Sequence, residues 1–425
     1  MNVSDTELVT SILKTSGYEL TENENQADIA LLNTCSVREN AEQRVFNRVH
    51  IIKRNAKKQG KNLIIGILGC IVSNKKEQLL KDLPIDLIVG PDRYKKLPGI
   101  LDLIILKNNI SKKKRSAFDL SGFETYSDIV PTRKGGVSAW VAITRGCNNF
   151  CSYCIVPYTR GRERSMPFDN VIDEVKHLVV DGYKEVTLLG QNVNSYKYEG
   201  YGFVDLLRKV SDVDGLKRIR FMSPHPKDFP IELIKLMAER DNICNHIHLP
   251  LQSGNSRVLK MMNRTYTKES YLGLVDTIKK NIPDIVLTTD IIIGFPTETE
   301  EEYLDTVDVV KKVVYDSAFI FKYSPRPHTK ATKDYKDDVS DKDKKDRIVN
   351  LNKIQDEISL ENNKSLLGTK LEVLVEKKGT KKSKTDFQAR TCGSKLVVIN
   401  EKDCVVGDIM DVTVTDYTIN VLMAK

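Results

Sequence analysis

No apolar run among the 425 residues is long enough to span a bilayer, and the opening "MNVSDTELVT" lacks the basic, apolar and small-residue order of a secretory signal. With no membrane segment or export signal legible, a cytoplasmic location is the expectation. Internal repeats and low-complexity tracts are also missing. Histidine is scarce, at 6 residues. His225, His246 and His248 sit in strand-like or strand-end runs, where a histidine is more often a satisfied structural residue than a metal ligand. Acid is in slight deficit, with 58 Asp and Glu against 66 Lys and Arg, a net charge of +8. The excess is clustered in "KRNAKKQGK" (Lys53–Lys61), "KKKR" (Lys112–Arg115), "RGRER" (Arg160–Arg164) and "KKGTKKSK" (Lys377–Lys384). Such clusters suit a polyanion, although solvated lysine faces look the same.

What the chain does have is length for two or three domains. Up to about residue 105, "ADIALLNTC", "NLIIGILGC" and "IDLIVG" read as buried strands, with helical patterns at Asp5–Ser16 and Asn40–Gln59. That alternation predicts a doubly wound parallel sheet, with ligands beyond the carboxyl ends of the strands, where Cys35 and Cys70 fall. The chain opens on a helix, so the first strand of this unit is apparently missing. Residues 107–134 are polar and read as a linker. From 135 to 365, "VSAWVAITR", "EVTLLG", "RIRFMS", "HIHLPL", "VLTTDIIIGF" and "AFIFKYS" alternate with helical stretches and predict a partial (β/α)6 barrel, whose chemistry sits at the strands' carboxyl ends. The charged stretch Asp337–Asn363 reads as an exposed helix. Residues 366–425 are short alternating strands, the pattern of a small antiparallel β-barrel of a kind that often binds oligonucleotides.

Eight cysteines in a large chain without export signals point to metal or chemistry rather than disulfides. Three of them, Cys147, Cys151 and Cys154, are packed into "RGCNNFCSYC", just after the first barrel strand. Zinc would want a fourth ligand at familiar spacing, and none follows: the nearest candidate, His177, is far along a helix. The site therefore reads as an open one, suited to iron–sulfur chemistry with a position left for another molecule. Cys244, Cys392 and Cys404 are isolated in sequence and are expected to be ordinary thiols.

The C-x-x-x-C-x-x-C spacing, with Tyr153 before the last cysteine, resembles the signature of the radical S-adenosylmethionine superfamily. Over nearly the whole chain, "LLNTCSVRENAEQRVFNRV", "RGCNNFCSYCIVPYTRGRERS", "LLGQNVNSY", "HLPLQSGNSRVLKMMNR", "DIIIGFPTET" and "YSPRP" are similar to its methylthiotransferase branch. The resemblance implies an N-terminal methylthiotransferase domain over 1–106, a radical barrel over 135–365 and an RNA-binding TRAM barrel over 366–425. It implies a 4Fe-4S cluster held by Cys147, Cys151 and Cys154 and completed by S-adenosylmethionine. A second 4Fe-4S cluster would include Cys35 and Cys70. Tyr153 would lie against the cofactor's adenine, or simply pack. Gln191 and Asn192 would bond its amino acid end, and Ser223, Gln252 and Ser253 its ribose or carboxylate. Arg264 would clamp the carboxylate, and Gly294, Phe295 and Pro296 would let backbone approach the ligand. Each of these strand-end residues has an ordinary turn or ion-pair reading as well.

Within the branch, "GQNVNSY" (Gly190–Tyr196) is similar to the enzymes that place a methylthio group on N6-dimethylallyladenosine beside the tRNA anticodon. Members acting on threonylcarbamoyladenosine, or on an aspartate of a ribosomal protein, are the alternatives. A non-catalytic zinc and RNA-binding protein is the rival class. The expected partners are the tRNA anticodon stem-loop and an electron donor such as flavodoxin or ferredoxin, with a monomeric enzyme. The family's first cluster cysteine lies in a "GCQMN" motif, and this chain begins at "MN". The expectation is a true start upstream of an internal methionine. The alternative is a short form with a defective second cluster.

Overall fold

The structure is a computed structural model that describes residues 1–34, 39–106, 115–120, 124–381, 383–400 and 404–425. The chain divides into two compact units. One comprises Met1–Lys134, Thr144–Met166 and Arg326–Thr329; the other comprises Gly135–Ile143, Pro167–Pro325 and Lys330–Lys425.

The first unit is built on four parallel strands in sequential order: β1 (Ile29–Thr34), β2 (Ile64–Gly69), β3 (Leu87–Val89) and β4 (Ser116–Ala117). Side chains alternate across a strand, so β2 feeds two cores. Leu68 packs with Leu8, Val9 and Ile12 of α1 (Asn2–Thr15). Ile65 and Ile67 pack with Val49, Ile52 and Ala56 of α2 (Glu39–Lys58) and with Ile71 and Val72 of α3 (Cys70–Lys75). Helix α4 (Leu97–Ile105) joins α1 on the first face. Apolar burial on both faces is why β2 reads as an unbroken hydrophobic run. Part of the stretch expected to be a linker is ordered: β4 extends the sheet, and Tyr126 is buried in the α1 core.

The second unit holds six parallel barrel strands. β5 (Ser138–Ala142), β6 (Glu185–Leu189) and β7 (Arg218–Phe221) form one sheet; β8 (His246–His248), β9 (Val286–Ile293) and β10 (Ser317–Lys322) form another. A parallel bridge from Ile219 to Ile243 links the two. Helices α5 (Phe168–Val180), α6 (Phe203–Ser211), α7 (Ile231–Glu239), α8 (Lys268–Asn281) and α9 (Glu300–Val313) connect successive strands. The apolar stripe of α5 is buried at Val171, Ile172, Val175 and Leu178. Thr299 and Glu302 cap α9 reciprocally, each side chain accepting from the other's backbone N–H.

Helix α10 (Asp341–Lys364) differs from the sequence expectation of an exposed helix. Lys344, Arg347, Leu351, Gln355, Ser359 and Asn363 form a buried stripe along it. The stripe is mostly polar, and three of its members bond the barrel. Arg347 pairs with Glu298 at 3.0 Å, Gln355 donates to Tyr315 O at 2.8 Å, and Ser359 donates to Asp316 O at 2.9 Å. Its C-terminal end leads into a closed five-stranded barrel: β11 (Lys370–Lys378), β12 (Phe387–Thr391), β13 (Leu396–Ile399), β14 (Ile409–Tyr417) and β15 (Leu422–Ala424). All its pairings are antiparallel except β13 with β15. Arg218 and Arg220 of β7 reach this small barrel, donating to the backbone carbonyls of Arg390, Thr391 and Cys392 at 2.7 Å.

Candidate functional site

The cysteine loop belongs by its contacts to the first unit. Its base is closed by an antiparallel pairing of Thr144 and Arg145 with Ser165 and Arg164. Gly146 turns the chain at φ +80, and a Cβ there would lie 2.1 Å from Arg162 O. Only glycine fits this position. Inside the loop, Cys147 N–H donates to Gly161 O at 3.2 Å, and Cys154 N–H to Cys151 O at 2.9 Å. Asn149 N–H donates to Cys147 Sγ at 3.5 Å. Cys147 is buried, while Cys151, Tyr153 and Cys154 are half-buried.

A charged cluster anchors this loop. Asp5 of α1 is fully buried and takes Arg145 at 2.9 Å on one oxygen and Arg160 at 2.6 Å on the other. Burial by itself would raise the Asp5 carboxyl, but the two guanidiniums outweigh it and hold it at about 2. Arg160 also donates from Nε to Cys70 Sγ at 3.1 Å. Cys70 starts α3, immediately beyond the carboxyl end of β2. Arg164 pairs with Asp92 at 2.7 Å, and Arg145 lies 4.9 Å over the Tyr126 ring. Tyr94 Oη is buried beside this cluster with no hydrogen-bond partner among the described residues. Cys35 lies outside the described residues.

Among the described residues, no three His, Cys, Asp or Glu side chains are gathered as metal ligands are. What the loop offers a metal is its donor chemistry. Three thiols lie between Cys147 and Cys154, one of them already receiving a backbone N–H, which is the donor set a three-cysteine iron–sulfur site needs.

In the second unit the expected strand-end residues gather at the carboxyl ends of the barrel strands. Asn192, two per cent exposed, follows β6; its Nδ2 donates to Asp228 at 3.1 Å, while its buried Oδ1 has no partner among the described residues. A buried acceptor left open is costly, so this atom is suited to a donor brought by a ligand. Gln191 beside it is half-buried. Ser223 and Gln252 follow β7 and β8 at φ +61 and +67, and Thr297 follows β9 at φ +66. Left-handed backbone at non-glycine residues costs about 1–3 kcal/mol each and clusters at functional sites. Ser253 is fully buried, with Oγ accepting from Asn255 N–H at 3.2 Å. Arg264 donates to the Tyr266 hydroxyl at 3.0 Å and to Pro250 O at 3.3 Å. His225 stays neutral: burial, with Arg264 and Lys227 nearby, pushes it down to about 2, and its Nδ1 accepts from Lys227 N–H.

Gly294, Phe295 and Pro296 are buried after β9. The close approach at Gly294 is made by Lys344 of α10, whose Cγ would lie 2.3 Å from an added Cβ. Phe295 is in an aromatic cluster with Tyr323 and Tyr335, at ring distances of 5.3 and 6.0 Å. His246 and His248 both bond the Thr288 hydroxyl, at 3.2 and 3.0 Å.

Residues 141–310 match the radical SAM superfamily, residues 1–90 the uncharacterized protein family UPF0004, and residues 364–425 the TRAM domain. A protein of Chloroherpeton thalassium named tRNA-2-methylthio-N(6)-dimethylallyladenosine synthase is 47% identical over 98% of this chain and 92% of its own length. One of the same name from Phocaeicola vulgatus is 44% identical over 98% of this chain and 91% of its own. The chain belongs to this family.

Among solved structures, the radical S-adenosylmethionine methyltransferase TsrM of Kitasatospora setae, with cobalamin and a 4Fe-4S cluster bound, shares the fold. Its TM-score is 0.60 at 16% identity, over 77% of this chain and 70% of that one. For a family member, the residues that sequence reading passed over are instructive. "RGRER" reads as a solvated basic run, yet Arg160 and Arg164 are ion-paired on Asp5 and Asp92. Their position directly after the third cysteine was the available signal. Asp5 gave none, since one acid on an amphipathic helix is unremarkable. Cys244 and Cys392, expected to be ordinary thiols, are free cysteines, the first buried and the second half-buried.

Proposed function

We propose that the protein transfers a methylthio group to C2 of N6-dimethylallyladenosine beside the anticodon of tRNA, as a radical S-adenosylmethionine enzyme. The observation that carries this reading is likeness over 98% of the chain to relatives named for that product. Cys147, Cys151 and Cys154 are assigned as ligands of a 4Fe-4S cluster whose remaining position takes S-adenosylmethionine. Cys35 and Cys70 are assigned to a second 4Fe-4S cluster. Together these groups would supply the one-electron chemistry needed to break an unactivated C–H bond.

The chain's own residues bind and orient. Asn192 Oδ1 accepts from the cofactor's ammonium, with Gln191 beside it, and Arg264 faces its carboxylate. Ser223, Gln252 and Ser253 supply hydroxyl and amide groups for the ribose or carboxylate, and Tyr153 packs on the adenine. The Gly294–Pro296 segment supports this edge by its packing against α10. The paired arginines Arg145 and Arg160 keep the cysteine loop in one conformation. In the domain covering 366–425, Lys377–Lys384 contacts tRNA phosphates, and the target adenosine must leave its stack to expose C2. A flavodoxin or ferredoxin serves as electron donor to a monomeric, cytoplasmic enzyme.

The test incubates reconstituted enzyme with S-adenosylmethionine, a reductant and tRNA bearing N6-dimethylallyladenosine, followed by nucleoside analysis. The 2-methylthio nucleoside is expected, and Cys147→Ala is expected to lose both it and 5′-deoxyadenosine. Product made by that variant overturns the radical assignment. Reaction only with tRNA bearing threonylcarbamoyladenosine overturns the substrate and leaves the reaction class standing.

A further inference from the structure

Barrels of parallel strands usually fill their interior with branched apolar side chains. In the second unit small hydroxyl residues stand there instead: Ser138 of β5, Thr187 of β6, Thr288 of β9 and Ser317 of β10. The space they leave is part of a cavity of about 700 Å³. That is within the usual range of small-molecule sites, about 300–1,000 Å³. β5, β6, β8, β9 and β10 each contribute their first residue to its wall, and Leu396 and Leu422 of the small barrel line it as well. The cavity therefore lies towards the amino-terminal ends of the strands, while the residues assigned to the cofactor follow the carboxyl ends.

Two aromatic rings belong to this wall. Trp140, the single tryptophan of the chain, is 39% exposed although its neighbours Ala139 and Val141 are buried. Phe319 of β10 is 50% exposed, and its ring lies 6.0 Å from that of His248. His248 is itself held by Thr288 at 3.0 Å and by Asp290 at 3.3 Å. β5 and β10 are end strands of their sheets, so both rings stand on open edges. Rings left in water forgo the burial that large apolar side chains gain in a core.

The charges of the wall cancel. Arg220 pairs with Glu185 at 2.8 Å, Arg390 with Glu376 at 2.8 Å, and Lys395 with Asp316. Burial, with Arg220 beside it, pushes His246 down to about 3, so it is neutral. An anion entering here would bring a charge that these paired groups do not offset. Hydrogen-bonding capacity remains, since the buried Ser138 Oγ has no partner among the described residues. Exposed rings, hydroxyl groups and balanced charge suit a flat, neutral, heteroaromatic ligand.

We propose that this cavity binds one neutral nucleobase through the Trp140 and Phe319 rings and the Ser138 hydroxyl. Stacking on aromatic side chains favours bases of any identity, because each has a π-face. The base belongs to a free nucleoside or is one unstacked from an RNA loop; the chemistry is the same. The site does not rest on the proposed methylthio transfer.

Trp140 serves as the reporter, because no other tryptophan contributes to the emission. Reconstituted holoenzyme saturated with S-adenosylmethionine is titrated with adenosine and, separately, with an anticodon stem-loop RNA. Saturable quenching of tryptophan emission is expected. Quenching by adenosine assigns the site to free nucleosides, and quenching by the RNA alone assigns it to an RNA base. Ser138→Leu, which fills the cavity, is expected to abolish the response. Phe319→Ala, at an exposed position, is expected to weaken binding about tenfold. Both variants should keep the circular dichroism of the wild type, and inorganic phosphate should leave the emission unchanged. No response to either probe overturns the proposal, as does a response that either substitution leaves intact. Equal quenching by phosphate overturns it too, since the ligand would then be an anion.

Discussion

Asp5 shows how much a single side chain can carry. Its two oxygens neutralise Arg145 and Arg160, which fix the base and the far end of the cysteine loop. Removing one partner of a buried ionic group costs about 3 kcal/mol or more, because the remaining charges stay buried. Asp5→Asn is therefore expected to lower the urea midpoint of the first unit and to reduce iron binding. The pH dependence has a definite sign. The folded carboxyl titrates near 2, against 3.8 in an unperturbed chain, so its stabilisation is full above about pH 4 and fades as pH falls through 2. The shift is worth about 2 kcal/mol. The gap between the urea midpoints of the two proteins should narrow from pH 7 to pH 3, and a constant gap would contradict the assignment.

At the scale of elements, the cysteine loop depends on Gly146. A Cβ at φ +80, driven into Arg162 O, adds strain of about 1–2 kcal/mol and displaces the Gly146–Gly161 end of the loop. Gly146→Ala is expected to keep the helical circular dichroism of the wild type while its iron content after reconstitution drops several-fold. Unchanged iron would mean that the loop geometry is not what positions the thiols. Helix α10 illustrates what periodicity misses. Its buried face is written in Lys344, Arg347, Gln355, Ser359 and Asn363, with Leu351 as the apolar member. A stripe of polar residues gives no amphipathic signal, and its burial is possible only because the barrel presents Glu298, Tyr315 O and Asp316 O opposite it.

For the whole molecule, the small barrel carries the exposed lysines Lys377, Lys378, Lys381 and Lys384, with Ser383 among them; Lys382 lies outside the described residues. If they contact tRNA phosphates, Lys381→Glu with Lys384→Glu should weaken tRNA binding several-fold at moderate salt. The slope of log K against log salt should fall by about 1–2. Cleavage of S-adenosylmethionine in the absence of tRNA should be unaffected, which separates RNA docking from chemistry. An unchanged salt slope would assign these lysines to a solvated face.

By itself the sequence determined the alternation of strands and helices, the open three-cysteine motif and the order of the parts. Those signals are local: the runs ending at Cys35 and Cys70, the stripe of α5, the spacing from Cys147 to Cys154. The strand-end candidates were legible as positions, while the Oδ1 of Asn192, unpartnered among the described residues, and the left-handed backbone of Ser223 and Gln252 were not. Gly294 was legible as a place of close approach, but the structure supplies Lys344 as the group that approaches. Tertiary structure alone decided that Arg160 and Arg164 are internal and that Asp5 pairs with Arg145 and Arg160. Each of these depends on groups distant in the chain whose charges are tolerable inside only because folding brings their partners to them.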